Sequence, residues 1–106
     1  MHEAFAAAID AIFGDSSMAE DALWRAGGSD PAVPVRVIRR APDAVVGFGD
    51  SRALLPSVLI DVRRSEVAEP ASGDTVEIEG ELFEVIAAPV VDSFGLLWTC
   101  ESCLRR

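Results

Sequence analysis

Ser72-Gly-Asp-Thr-Val-Glu-Ile-Glu-Gly-Glu-Leu-Phe-Glu-Val-Ile86, followed after a linker by Gly95-Leu-Leu-Trp-Thr99, is the stretch that decides the fold class. Apolar residues alternate with acids at Val76 and Ile78, Glu79-Gly80 supplies a turn, and the alternation resumes at Phe83, Val85 and Ala87. A period of two marks strands with one buried face, so this stretch reads as a hairpin followed by a third strand around Trp98. The chain is therefore expected to be mainly β.

Working outward, Val33, Val35 and Val37 alternate with Arg36 and give another strand up to Arg40, with Pro34 suggesting that it begins on an edge. Val58, Ile60 and Val62 set against Asp61 and Arg63 give one more. Between them, about residues 41–56, no period is visible, and a long aperiodic segment in a small domain is usually functional or mobile. Its tip holds Phe48 between Gly47 and Gly49, followed by Asp50 and Arg52. Arg63-Arg64-Ser65-Glu66-Val67 adds a short helical turn before Pro70.

At the N-terminus, about residues 2–13, Phe5, Ala8, Ile9, Ile12 and Phe13 fall on one stripe of an amphipathic helix, which Gly14 can cap. That apolar face must cover something, either an open end of a barrel or a neighbouring subunit. Residues 17–27 carry two conflicting signals. Ser17 and Glu20 have capping-box spacing, and Met18, Ala22, Leu23 and Ala26 fit a helical stripe. Asp21 to Ala26, with Ala22 and Trp24 on one face and a turn through Gly27-Gly28-Ser29-Asp30-Pro31, fits a strand equally well.

With 106 residues, the chain is expected to be a single domain, 1–106, burying about 65% of its unfolded surface. Half the residues are apolar and a quarter charged, a globular balance. No apolar run approaches a membrane span and no basic stretch precedes an apolar one at the N-terminus, so the expectation is a cytosolic protein without a membrane partner. The formal charge of −9 argues against nonspecific nucleic-acid binding, which needs clustered Lys and Arg. Its distribution is uneven. Residues 1–24 hold five acids and no Lys or Arg, 25–64 hold seven Arg against four acids, and 65–104 hold nine acids and no base. A basic middle and an acidic second half suit electrostatic pairing with a partner or with further copies of the chain.

Signals for catalysis are weak. Cys100-Glu101-Ser102-Cys103 has the spacing of half a zinc site or of a redox motif, but a structural zinc needs four ligands, and His2 is the one other soft candidate. A redox pair also belongs at a helix N-terminus, whereas this one trails a strand. With a single His and no nucleophile-base pairing, no enzyme activity, metal or cofactor is expected. A small metal-binding or redox module on Cys100 and Cys103 is the alternative from a different functional class.

In order along the chain stand Phe5…Ala7-Ala8-Ile9, the segment Ala22 to Arg25 ending in Gly27-Gly28, Val37-Ile38-Arg39, and Pro42-Asp43 opening the long loop. Pro56-Ser57, the strand Val58 to Val62, and Arg64-Ser65-Glu66-Val67 follow. Gly73-Asp74-Thr75-Val76-Glu77-Ile78, Phe83-Glu84-Val85, Asp92 and Leu97-Trp98 complete the series. In this order the chain resembles the small head-tail joining (attachment, or stopper) proteins of lambda-like long-tailed phages, over nearly its whole length. It departs from them in ending soon after its last strand and in its acidic second half. The resemblance favours the strand for residues 22–25. It also implies a small β-barrel or sandwich with an N-terminal helix, assembling as a ring, a hexamer, between the portal-adaptor complex and the tail terminator or tail tube. Such a ring would join the DNA-filled head to the tail and help retain DNA until ejection, DNA passing through without sequence-specific binding. The particle would be a virion, a prophage product or a gene transfer agent assembled in a bacterial cytoplasm. A tail terminator or minor tail protein of the same particle is the runner-up. On this reading Asp43, Phe48, Asp50 and Arg52 would face the lumen or an adjacent ring, and Phe5, Ile9, Arg39 and Arg40 would contact neighbouring subunits or rings.

Overall fold

A computed structural model describes residues 2–40 and 57–105. The order of elements is helix α1 (His2–Phe13), then β1 (Glu20–Arg25), a single 3-10 turn (Ala26–Gly28), β2 (Val33–Arg40), β3 (Ser57–Arg63), β4 (Thr75–Ile78), β5 (Glu81–Val85), β6 (Val90–Val91) and β7 (Leu97–Leu104). Six strands close into an antiparallel barrel in the order β3-β2-β1-β4-β5-β7, sealed where β7 returns to β3 from Ser57↔Cys103 to Arg63↔Leu97. Strand β6 lies outside this ring of strands, paired with the first half of β7.

The alternation legible in the sequence is what fills the barrel. Val35, Val37, Ile60, Val62, Val76, Ile78, Phe83 and Val85 all point inward and are at most 6% exposed, joined by Ala22, Trp24 and Cys100. Each large side chain buried this way contributes about 1.5–3 kcal/mol relative to exposure. The hairpin turn sits where the sequence puts it. Ile78 pairs with Glu81 across a two-residue loop in which Glu79 (φ 52°) and Gly80 (φ 81°) both take the left-handed conformation that twists with the strands.

Segment 20–25 is a strand, paired on one side with β2 and on the other with β4. Two ladders outweigh the local helical signal of residues 17–27. Of that signal a turn at 15–19 survives, with Ala19 N–H donating to Asp15 O at 2.9 Å, beside the single 3-10 turn at Ala26–Gly28. Pro34 lies in a strand with neighbours on both sides, yet the edge it implied exists locally. The β2–β3 ladder starts only at Val37, and the Arg36 N–H on that same side donates to the Glu66 carboxylate at 2.9 Å instead. A missing N–H two residues earlier therefore leaves no ladder bond unmade.

One barrel end is closed by a charge pair. Arg39 continues the inward row of Val35 and Val37, and its guanidinium bonds both oxygens of Glu20 at 2.6 and 2.8 Å, 5.8 Å from the Phe83 ring centroid. Helix α1 does not cover an open end. No helix residue belongs to the core cluster, and Phe13, the one buried residue of its stripe, sits under outward-facing Arg63, whose guanidinium lies 5.2 Å from its ring centroid. Arg36 donates to the Phe13 carbonyl at 2.9 Å, and Arg63 pairs with Asp10 and Glu66 at 3.0 and 2.9 Å. Arg63-Arg64-Ser65-Glu66-Val67 forms one turn, closed by bonds to the Arg63 carbonyl.

Candidate functional site

Three surface features could carry recognition, and each has a local cause. The first is the barrel end from which residues 41–56 depart. Arg40 and Ser57 end β2 and begin β3, neighbouring strands held by Arg40↔Leu59 and Val37↔Val62. Arg40 reaches back to buried Asp61 through two bonds of 2.9 and 3.0 Å, and Thr99 of β7 donates to the same carboxylate at 2.8 Å. Charge-assisted, bidentate bonds of this kind are the stronger class of hydrogen bond. They tie β2, β3 and β7 together at the base of the connection. Asp43, Phe48, Asp50 and Arg52 lie outside the described residues.

The second feature is a ridge that sequence reading missed. After β6, Asp92 accepts from the Leu96 and Leu97 N–H groups at 2.8 and 3.2 Å, and Gly95 (φ 72°) closes a turn on the Asp92 carbonyl at 3.0 Å. This turn thrusts Phe94 outward, where it stacks on Phe5 of α1 with centroids 4.4 Å apart and planes 20° apart. Phe5 and Phe94 remain 42% and 44% exposed, and Val90 of β6 is 66% exposed. Arg64 borders the ridge, donating to the Gly95 carbonyl at 3.3 Å. Ile9 is half-buried beside Arg63 and Leu96, while Ile12 points to solvent. The signal available in the sequence was Val90-Val91 followed by Phe94, large apolar residues without alternation in a segment that reads as a linker.

A groove on the opposite wall is the third feature. Register places Pro34, Leu23, Glu77 and Leu82 in one outward row across β2, β1, β4 and β5. Beside it Asp21, Glu79 and Gly80 complete a shallow groove of about 240 Å³.

Other motifs prove architectural. Asp74, of the Gly73-Asp74 pair, is buried and accepts from Trp24 Nε1 (3.1 Å), Gly27 N (2.8 Å) and Ala71 N (3.0 Å), which links β1, the 3-10 turn and the approach to β4. Arg39 is held charged, its pKa raised first by the hydrogen bonds to Glu20.

Cys100 and Cys103 overturn the metal or redox alternative. An odd spacing on a strand puts them on opposite faces, Cys100 in the core and Cys103 half-buried outside, so they cannot jointly grip an ion. Three residues along a strand also separate their Cα atoms by about 10 Å, beyond disulfide reach. Burial pushes the Cys100 thiol up from 9.0 to about 12, with Asp61 and Asp74 adding to the shift, the reverse of an activated cysteine. Among the described residues no group of three or more His, Cys, Asp or Glu is placed to hold a metal.

A closed β-barrel with a single N-terminal helix is what the sequence resemblance implied. The family of phage head-tail attachment proteins matches residues 1–102. The chain belongs to that family. Its role is thus structural, in joining heads to tails, with head and tail components as interaction partners. No curated protein matches the chain.

Proposed function

We propose that copies of this chain close into a ring, a hexamer, at the head-tail junction, and that this ring is the stopper that joins the filled head to the tail and retains DNA until ejection. The observation that carries the reading is the pairing of family membership with a small barrel whose aromatic ridge is left 42–44% exposed, an arrangement suited to burial between subunits. On the head side the ring meets a portal or adaptor protein, and on the tail side a tail terminator or tail tube. Phe5, Ile9, Arg39 and Arg40 contact neighbouring subunits or an adjacent ring. Arg39 and Arg40 hold the barrel end from which Asp43, Phe48, Asp50 and Arg52 extend toward the lumen or an adjacent ring, since closed symmetry brings one such segment from every subunit to the axis. The acidic chain lets duplex DNA slide through without sequence-specific binding. A phage, a prophage or a gene transfer agent assembled in a bacterial cytoplasm would each use such a ring.

Deletion of residues 44–52 tests this. The shortened chain should keep the circular dichroism of the folded barrel, because Arg40 is held by the β2–β3 ladder and Ser57 by the β3–β7 ladder, while electron microscopy shows filled heads separate from finished tails. Unaltered infectivity or gene delivery would overturn the assignment of the loop. Intact tailed particles after removal of the whole gene would overturn the joining role, and a defect in tail length would move the assignment to a tail terminator.

A further inference from the structure

The aromatic ridge and the acidic groove lie on opposite sides of the barrel. In the strand order β3-β2-β1-β4-β5-β7, the β1–β4 seam that carries the groove is diametrically across from the β3–β7 seam, beside which β6, Phe94 and Arg64 sit. Two different patches facing away from each other are what a head-to-tail contact requires, and a head-to-tail contact that closes on itself makes a ring.

Their chemistry is complementary. Asp21, Glu77 and Glu79 line the groove together with apolar Leu23 and Pro34, and no arginine among the described residues lines it, though Arg25 pairs with Glu77 at 3.0 Å. Glu79 makes no ion pair among the described residues, and the Asp21 side chain is 92% exposed despite its contact with Arg36. Across the molecule, Arg64 is the one described arginine that meets no carboxylate. Arg25, Arg36, Arg39, Arg40, Arg63 and Arg105 each do. The ridge thus offers aromatic rings and an unmatched cation, and the groove offers an apolar floor, the unpaired Glu79 carboxylate and the largely exposed Asp21. A second copy of the chain carries both.

We propose that the Phe5–Phe94 stack and Arg64 of one subunit seat in the Asp21, Leu23, Pro34 and Glu79 groove of the next, and that this single contact repeats around the ring. The inference rests on the ring reading above and names the surfaces that form it. Phe94 fills the apolar floor between Leu23 and Pro34. Arg64 meets Asp21 and Glu79. Exposed Val90 lies against the adjoining β1–β4 wall.

The test uses the full chain in assembled particles, with Ser93→Cys and Asp21→Cys combined in a Cys103→Ser background, Cys100 being sealed in the core. On mild oxidation a head-to-tail contact yields a covalent ladder from dimer up to the closed ring on a nonreducing gel, and neither single cysteine variant yields one. In parallel, Arg64→Glu should reduce joined particles about tenfold, because like charges then face each other across the contact. Adding Glu79→Arg should restore most of the loss, and since the two residues lie on opposite sides of one barrel, that rescue operates between copies. Microscopy of the particle neck fixes the copy number independently. A multimeric neck with no ladder and no rescue would overturn this interface and leave the ring standing. A single copy per neck would overturn the ring and the interface with it.

Discussion

Asp74 shows how one carboxylate can hold a fold without doing chemistry. Its three donors come from separate parts of the chain, and one, the Trp24 indole, is buried. Removing the acceptor strands that buried N–H, and bonds to a charged partner are worth about 1.5–3 kcal/mol each. Asp74→Ala should accordingly cost about 3 kcal/mol or more, and Asp74→Asn, which keeps one acceptor oxygen, less. Both are read as a lower denaturation midpoint with an unchanged slope in urea. Cys100 gives a second prediction at this scale. Its folded pKa is raised to about 12 by burial, with the Asp61 and Asp74 charges adding, so the folded state keeps a proton that the unfolded chain releases near 9.0. Stability is therefore fully present below about pH 9 and falls progressively as pH climbs toward 12. Cys100→Ala should lower stability at neutral pH but flatten that alkaline decline in pH-dependent urea titrations. Ellman's reagent at pH 8 should count one reactive thiol in the folded chain, Cys103, and two after unfolding.

At the scale of elements, the 79–80 turn has a correctable defect. A two-residue turn of this twist needs positive φ at both positions, and glutamate supplies it at a cost that asparagine largely avoids. Glu79→Asn should stabilise the barrel by about 0.5–1 kcal/mol in thermal or chemical unfolding, and no change would mean that the Glu79 charge near Arg39 compensates. That hairpin was legible because each strand has one buried face and the turn chemistry is local. Strand β1 was only half legible. Ser17 and Glu20 follow helix rules, and what overrides them are ladders to Val33–Val37 and Thr75–Glu77, partners that no local window contains. Strand β6 was illegible, since two exposed valines held by pairing with Trp98 and Thr99 leave no period to read. The aromatic ridge went unseen for a related reason. Phe94 stacks on Phe5 across most of the chain, a meeting set by where α1 docks through Arg36 and Arg63. The charge asymmetry was visible as numbers, but its use was not.

For the whole molecule, that asymmetry is mostly settled internally. Among the described residues, the arginine-rich middle does not form a basic face. Arg25, Arg36, Arg39, Arg40 and Arg63 each bind carboxylates of their own chain, from Glu77, Asp21, Glu20, Asp61 and Asp10 respectively. Apart from Arg64, what remains unpaired among the described residues is anionic. Glu69, Glu79 and Glu101 are exposed and make no ion pair among the described residues, and the formal net charge is −9. Nonspecific affinity for duplex DNA comes from cations that displace counterions, and proteins with such cations reach dissociation constants of about 0.1 mM or tighter. This chain has spent its described cations, Arg64 excepted, on its own acids. Fluorescence anisotropy with a short labelled duplex should therefore show no binding at protein concentrations up to about 0.1 mM, even at 50 mM salt where electrostatic attraction is least screened. Glu69→Gln, Glu79→Gln and Glu101→Gln together should leave the circular dichroism unchanged and still give no measurable binding, because they remove repulsion without creating a cationic patch. If that triple variant gained affinity that vanished with added salt, repulsion by these three carboxylates would be the operative barrier. If the natural chain itself bound with the steep salt dependence of phosphate contacts, the cations would have to come from arginines that leave their acids when DNA is present, and the internal pairing seen in the barrel would be a switchable state of the protein.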